Sequence, residues 1–377
     1  MHTTSMHATL APAVLREPIE IREANQADNQ GLLALTRATP MSGRIALRID
    51  RDPDFFALLR LRGESQVYVA VHGNEVVGCI SAALRPAYIC GVPEVTAYIG
   101  DMKVHPRFSG SRIALRLIQA LEAHLRFAGI DLCFSVVAAG NQRAMGLFQG
   151  RLGTPRWAPL GRFVVEELLP SPFERPSRQY DVQAAQTEDG PAITALLDRF
   201  HRSRQFAPRI LEDEVARTLS AARAETSKTL VARDGTRVVA TLSVLDTAPE
   251  KRNILLSAPF SARAALASLR FIALPFPGFC VPRVGEALRL LTARYFACED
   301  GHMEALKTLV RRARLEAFRQ RFSFLVLGLH ERDPLRRIVR GMPGFTFSSL
   351  AFATSLGTPA RLGTIPGGLP FEDYALV

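Results

Sequence analysis

The residues of this chain best suited to chemistry lie in one loop, residues 109–114, between a predicted strand and a predicted helix. Small side chains there leave the free amides at the start of the helix accessible, and these amides and the helix dipole attract an anion. Arg107, Arg112 and Arg116 add positive charge beside the same loop. The loop therefore predicts an anion-binding site.

The elements around this loop must hold it in place. The helix that follows the loop presents Leu115, Ile118, Leu121 and Leu125 on one apolar face. An apolar strand is predicted next, over residues 131–138, and a second helix then opens at Asn141. We expect the order strand, anion-binding loop, helix, strand and helix.

A similar order of elements recurs about 160 residues later in the chain. Residues 19–28 resemble residues 180–189. Residues 65–73 resemble residues 227–235, and each of these two segments predicts a strand that enters a tight glycine turn. The strands that return from the two turns keep the same register. This repetition predicts two copies of one unit of helices and strands.

The limits of the two copies follow from composition. Residues 170–177 contain three prolines, which remove main-chain donors and predict a linker. We predict a disordered N-terminus at 1–17, a first domain at 18–170, a linker at 171–179, a second domain at 180–356 and a frayed tail at 357–377. An extra segment rich in proline and phenylalanine, residues 258–283, either covers a substrate or packs between the domains.

Composition excludes several classes of protein. Hydrophobic residues make up 47% of the 377 residues, enough to build full cores, which excludes wholesale disorder. The apolar stretches are shorter than the roughly 20 residues that cross a bilayer, so no membrane partner is expected. The five cysteines are widely spaced and show no zinc spacing, so we expect buried thiols and no metal. The N-terminus lacks a secretory pattern, which favours a cytoplasmic location.

The net charge of +11 indicates an anionic partner. A basic surface attracts nucleic acid, an anionic cofactor or an acidic carrier protein. No basic stretch interleaved with aromatic residues is present, so nucleic acid is not expected.

The motifs in residues 98–148 resemble the GCN5-related N-acetyltransferase (GNAT) superfamily, and the repeat makes the chain similar to a tandem member with a degenerate second copy. The resemblance covers about residues 18–168 well and residues 180–355 weakly. The family's turn after the strand matches Val104-His105-Pro106, and its pyrophosphate loop falls on residues 109–114. Ser109 stands where the family has Arg or Gln, and Arg112 stands where it has Gly. The resemblance implies an α/β (α+β type) fold of two GNAT-like domains, each with a mixed, mostly antiparallel central sheet flanked by helices.

The resemblance also implies that acetyl-CoA or another acyl-CoA is the co-substrate. The main chain of Met102, Lys103 and Val104 would run along the pantetheine, and the loop would hold the pyrophosphate. Asn141 and Ala144 match the family's segment that orders the pantetheine arm. Phe148 stands where the family has the Tyr that protonates the departing thiolate. The cofactor-binding candidates are Met102, Lys103, Val104, Arg107, Ser109, Gly110, Ser111, Arg112, Ile113, Ala114, Asn141, Ala144 and Phe148.

An amine acceptor must lose a proton before it can attack, because an ammonium group has no lone pair. Asp101 is the first candidate for the base, Glu94 the second, and a carboxylate at Val377 a further one. Asp101 could instead anchor a loop. Tyr98 or a water molecule could replace the missing acid.

The second half has the same order of elements but a different loop. Glu299 and Asp300 lie where a pyrophosphate would have to bind, and two carboxylates repel phosphate. We therefore expect that this half does not bind CoA and that it shapes the acceptor site or stabilises the fold.

The prediction from the sequence is an acyl-CoA-dependent N-acyltransferase that transfers acetyl to a primary amine, on a small molecule or a protein, by direct attack. Two alternatives remain open: a non-catalytic acyl-CoA-binding or regulatory protein, and an acyltransferase that uses an acyl carrier protein. A homodimer is possible at this stage.

Overall fold

A computed structural model describes residues 18–41, 43, 45–150, 154–173, 177–220, 228–363 and 365–377. The predicted disordered N-terminus, residues 1–17, lies outside these residues, as does part of the predicted linker. The helices are α1 Asn29–Ala38, α2 Ala57–Arg62, α3 Ile113–Phe127, α4 Gln142–Phe148, α5 Gly190–Arg202, α6 Glu212–Ser220, α7 Phe260–Ala273 and α8 Met303–Arg319.

Strands make up most of the remaining regular structure. They are β1 Ile19–Glu23, β2 Ala46–Asp50, β3 Glu64–His72, β4 Glu75–Ile89, β5 Val92–Val104, β6 Leu132–Ala138, β7 Ala158–Leu168, β8 Asp181–Ala184, β9 Arg204–Gln205, β10 Ala207–Pro208, β11 Lys228–Asp234, β12 Arg237–Asp246, β13 Arg252–Ser257, β14 Ala287–Leu288, β15 Leu290–Cys298, β16 Phe324–His330, β17 Gly344–Ser355 and β18 Leu369–Pro370.

Within the described ranges, one large sheet has the order β1-β3-β4-β5-β6-β17-β7-β16-β15-β12-β11-β8, and β10 pairs with β4. Among its neighbouring pairs, β5 with β6 and β15 with β16 are parallel, and the others are antiparallel. Helices pack against this sheet. The predicted mixed, mostly antiparallel α/β fold is confirmed.

The two halves of the chain exchange their last strands. We call residues 18–170 the front half and residues 180–377 the rear half. Strand β17 of the rear half pairs with β6 of the front half, and β7 of the front half pairs with β16 of the rear half. Strands β17 and β7 pair with each other in the middle of the sheet. The sheet therefore runs without a break across the predicted domain limits, which stay a prediction, as does the tandem repeat.

Helix α3 packs tightly on the front part of the sheet. A β-carbon added to Gly78 of β4 would lie 2.9 Å from Ile113 and 3.1 Å from Leu117, so this close approach needs glycine. The buried face of α3 is Ile113, Leu117, Leu121 and Leu125. The sequence predicted Leu115 and Ile118 on this face, but both are only half-buried, and Ile113 and Leu117 are buried instead.

The last residues of the chain are packed, and the expectation of a frayed tail was wrong. Phe371, Ala375 and Leu376 are buried, and the ring of Tyr374 covers Gly328 of β16. Burial of these apolar side chains supplies the hydrophobic free energy that orders the segment. The tail reaches the front half, where the Arg62 guanidinium donates to the Leu376 carbonyl at 2.9 Å.

Candidate functional site

Strand β5 diverges from its neighbour β6 just before the residues that the sequence analysis assigned to chemistry. Strands β5 and β6, both fully described, pair in parallel at Ala97 and Tyr98 alone. Beyond this point β5 stays with β4 and carries a bulge at Asp101, whose φ is 52°. The Ile99 carbonyl still accepts from Ser135 Oγ of β6 at 2.9 Å, and the edge of β5 beyond it turns away from β6 and leaves main-chain groups for a ligand.

The predicted anion-binding loop lies at the end of this diverging strand. Gly110 has a φ of +83°, and a β-carbon there would meet no atom within 4 Å. Ser109, Gly110, Ser111 and Arg112 are exposed. Arg112 at the N-terminal cap of α3 makes no side-chain capping bond. The first turn of a fifteen-residue helix thus faces an open glycine loop, which suits a diphosphate.

The three arginines around the loop differ in how free they are to bind a phosphate. Arg112 and Arg116 are exposed. Arg107 forms an ion pair with Glu75, and both side chains are about half exposed or more. Exposed pairs of this kind contribute little free energy, so a phosphate can compete for Arg107.

The other predicted CoA contacts lie on β5 and at α4, the helix that follows β6. Met102 and Val104 pack against the hydrophobic core beside α3. The Asn141 side chain caps α4 by accepting from the Ala144 amide at 3.2 Å. The Phe148 ring lies 4.6 Å from the Phe352 ring, on the exchanged strand β17. Phe148 therefore fills apolar space where an acid would be needed.

Asp101 is a buried, paired carboxylate. Both of its oxygens contact the Arg51 guanidinium, at 2.9 and 3.0 Å, and Ser81 Oγ donates to it at 3.0 Å. Burial acts to raise its pKa, but the charges of Arg51 and Lys103 and these hydrogen bonds lower the pKa below its usual value. A carboxylate held in this way anchors the bulge and is a poor proton acceptor.

Tyr98 lies near Asp101, whereas Glu94 does not. The Arg62 guanidinium stacks 3.5 Å above the Tyr98 ring, and burial raises the pKa of the Tyr98 hydroxyl. Glu94 lies seven residues before Asp101 on β5, about 23 Å away at the rise of a strand. It binds Arg361 through both oxygens, at 2.6 and 2.9 Å.

Sequence reasoning missed Lys251, which the rear half contributes to the front site. In the ladder of β13 and β2, Arg252 pairs with Asp50, so Lys251 lies beside Arg51 at the end of that ladder. Lys251 Nζ donates to an oxygen of Val377, the residue whose carboxylate is the further candidate for the base, so this candidate also lies at the front site. Burial, together with the charge of Arg51, lowers the pKa of Lys251 to about 7, against an opposing effect of Asp101.

Arg62 and Glu372 were also missed. Arg62 Nη2 donates to Glu372 Oε1 at 2.9 Å, and both side chains are buried. Burial raises the pKa of Glu372 to about 7 although Arg62 opposes this shift. One signal was available for Lys251: the chain has only four lysines, and two of them, Lys103 and Lys251, lie at Asp101.

The rear half has a second bulge of the same kind. Tyr295 of β15 has a φ of 45° and lies where β15 diverges from β16, after their parallel pairing at Leu290 to Thr292. Its hydroxyl donates to Glu214, which also contacts Arg85 of the front half at 3.5 Å. In the rear loop, Glu299 is paired with Arg199 at 3.1 Å.

In the part of the chain that the structure describes, we find no group of three or more His, Cys, Asp and Glu residues arranged to hold a metal ion. Within the same residues, no helix has both the length and the apolar character needed to cross a membrane.

Comparisons with known proteins agree with this geometry. Residues 34–153 match the family model described as Acetyltransferase (GNAT) family. No curated protein matches the chain. Among solved structures, Saccharomyces cerevisiae N-myristoyltransferase with bound myristoyl-CoA is similar, with a TM-score of 0.60, 13% identity, and 93% of this chain and 82% of that chain covered.

A second similar structure is a GCN5-related N-acetyltransferase from Anabaena variabilis, with a TM-score of 0.52 and 12% identity over 90% of this chain and 73% of that chain. At such identities the structures establish the fold alone. The resemblance predicted from the sequence is confirmed in these terms: residues 34–153 match the GNAT family model and the chain has a GNAT-like fold, whereas the degenerate second copy stays a prediction.

Proposed function

We propose that the protein is an acyl-CoA-dependent N-acyltransferase, most simply one that transfers acetyl from acetyl-CoA to a primary amine by direct attack. The observation that carries this proposal is the divergence of β5 from β6 at the Asp101 bulge, which points an unpaired strand edge at the open loop before α3. The GNAT family match over residues 34–153 supports the same reaction.

The donor would bind along the front half. The amides of residues 109–114 would hold the diphosphate, aided by Arg112 and Arg116, and Gly110 leaves the space that a close approach requires. The pantetheine would lie against Met102, Lys103 and Val104, as an added strand lies on a sheet edge. The Asn141 Oδ1 atom caps α4, and the Nδ2 group of the same side chain can donate to the pantetheine.

The acceptor would bind beside Asp101, where Lys251 supplies the base. As the C–N bond forms, the amine nitrogen becomes acidic and its proton passes to neutral Lys251. A pKa near the working pH suits this role. Asp101 positions Arg51 and the bulge and does not itself take the proton. Collapse of the intermediate breaks the C–S bond.

The departing thiolate then takes a proton from Tyr98 or from water. Burial raises the pKa of the Tyr98 hydroxyl well above that of a thiol, so Tyr98 holds its proton tightly and water is the better donor to the thiolate. The main-chain amide near Met102 would polarise the thioester carbonyl. Phe148 needs no role in proton transfer.

Binding and thiol release test this proposal together. Calorimetry should show one acyl-CoA per chain, and release of free CoA should require an added amine. The donors should run from acetyl-CoA to myristoyl-CoA, because a structurally similar N-myristoyltransferase was solved with myristoyl-CoA bound.

Each outcome of this test has a defined meaning. Thiol release with one acyl length and one class of amine supports the acyltransferase. Tight binding without release for any acceptor favours the binding protein. Absence of CoA binding, combined with turnover of an acylated carrier protein, favours the carrier-dependent enzyme.

A further inference from the structure

Helix α7 is an insertion that the sheet does not need. In the front half, β4 passes to β5 through Cys90 and Gly91. In the rear half, the chain between β13 and β14 is long enough to contain α7 and an irregular return segment, residues 274–286. The extra segment therefore calls for an explanation other than completion of the sheet.

The outward face of α7 is apolar. Phe260, Ala264, Ala267 and Phe271 follow the spacing i, i+4, i+7, i+11, which places them on one face of the helix. Phe260 is 84% exposed and Phe271 is 76% exposed. Leu266, on the opposite side, is buried against the protein. This pattern is the reverse of an ordinary surface helix.

Further apolar side chains extend this face. Ile272 is 66% exposed and Leu274 is 74% exposed, just after the stripe. Val284 and Ile45 are also exposed. Ile45 lies near the start of α7, because the next residue, Ala46, pairs with Ser257. Clusters of large exposed apolar residues mark interaction sites, whereas single ones do not.

The charges beside this face are almost all positive. Residues 258–289 contain Arg263, Arg270, Arg283 and Arg289 and a single acidic residue, Glu286. Arg263, Arg283 and Arg289 are exposed. The Glu286 carboxylate accepts from the Arg283 amide at 3.0 Å. The surface therefore joins protruding apolar side chains with unneutralised arginines.

We propose that α7 lies on an anionic lipid bilayer, with Phe260, Phe271, Ile272 and Leu274 inserted below the headgroups and Arg263 and Arg283 among them. Amphipathic helices with aromatic and aliphatic residues on one side and arginines beside them bind at this depth. The expectation of no membrane partner rested on the absence of a spanning stretch. A helix lying in the interface needs none.

The shape of the surface favours lipid over a protein partner. The four inserted side chains lie on α7 or just after it and are 66% to 84% exposed, so a protein would need a matching groove. Acyl chains adapt to such a ridge without one. The positive charge also disfavours a second copy of the same face, because the arginines of two copies would repel each other.

Sedimentation with lipid vesicles tests the proposal on the full chain. We expect the protein to sediment with vesicles of equimolar phosphatidylcholine and phosphatidylglycerol and to remain largely in solution with phosphatidylcholine alone. Added salt should weaken binding, because the anionic headgroups are screened. The double variant Phe260→Ser, Phe271→Ser should partition at least tenfold less.

Two control variants separate this effect from a general loss of exposed phenylalanine or of charge. Phe127→Ser removes a residue of α3 that is 94% exposed and should leave vesicle binding unchanged. Arg263→Gln with Arg283→Gln should weaken binding to the anionic vesicles. Thermal melting should show that the variants stay folded, since the substituted side chains are exposed.

Three results would overturn the proposal. One is the absence of sedimentation of the wild-type chain with anionic vesicles, which needs no variant. Another is unchanged binding by the double phenylalanine variant. The third is concentration-dependent dimerisation in ultracentrifugation without lipid that the same variant abolishes, since α7 would then bind a second copy.

Discussion

The sheet has one bulge at Asp101 in the front half and another at Tyr295 in the rear half. They differ in the positively charged side chain that the other half of the chain contributes. At the front bulge, Lys251 of the rear half lies beside Arg51 and Asp101. At the rear bulge, Arg85 of the front half contacts Glu214, which Tyr295 also contacts. A buried ammonium can release its proton near neutral pH, whereas a guanidinium cannot. The same architecture therefore allows base catalysis at one bulge and only charge pairing at the other.

Substitution of Lys251 has the largest expected effect. Lys251→Met and Lys251→Arg should each lower kcat about a thousandfold, within the range for loss of a general base. In the wild-type enzyme, kcat should rise as the pH increases through about 7, because Lys251 loses its proton there. The variants should lose this rise. Rates measured from pH 6 to pH 9 check both expectations.

Two controls accompany this measurement. Lys307→Met removes a lysine of α8 that is paired with exposed Glu304, and it should keep the wild-type rate. Arg85→Lys makes the reverse exchange at the rear bulge and should leave the pH profile in place. A Lys251→Arg enzyme with full activity would show that the two bulges do not differ in the way described.

The bulges should also differ in their contribution to stability. Asp101→Asn leaves buried Arg51 without its carboxylate and should lower the free energy of unfolding by about 3 kcal/mol. Tyr295→Phe removes one hydrogen bond to Glu214, which retains Arg85 and Arg294, and should cost about 1 kcal/mol. Urea denaturation measures both, and equal losses would contradict this ranking.

The loops before α3 and α8 offer a matched pair of glycines. Gly110 and Gly301 have φ values of +83° and +82°, and a β-carbon would meet no atom within 4 Å at either position. Gly110→Val should weaken CoA binding at least tenfold, or about 1.4 kcal/mol, by filling the diphosphate site. Gly301→Val carries the same backbone strain and should leave CoA affinity unchanged in calorimetry.

The smallest expected effect concerns charge at the front loop. Arg112→Ala should weaken CoA binding about twofold to threefold at low ionic strength, since an exposed charge contributes well under 1 kcal/mol. The difference from the wild-type chain should disappear at high salt because the interaction is screened. A salt-independent difference would mean that Arg112 shapes the loop.

Local patterns in the sequence were sufficient to predict the loop and its helix. The glycine and the small residues before α3 indicated an anion site, and the spacing of apolar residues placed α3 to within one position on its buried face. These signals are local because a helix contacts its neighbours through residues three and four apart. Asn141 was likewise found at the start of α4.

The rest of the site depends on contacts between distant parts of the chain. Lys251 and Arg51 are 200 residues apart and meet through the pairing of β13 with β2. No local pattern specifies which strands will pair. The exchange of β7 and β17 was missed for the same reason, because an alternating strand fits the middle of either half equally well.

The exchanged strands have a consequence for synthesis on the ribosome. One edge of front-half strand β6 pairs with β17, which is complete only after residue 355 has been made. Until then that edge of β6 has to stay unpaired or find a temporary partner. An early release of the nascent polypeptide would leave that edge open to aggregation. Neither half of the sheet can therefore mature before β17 has been made.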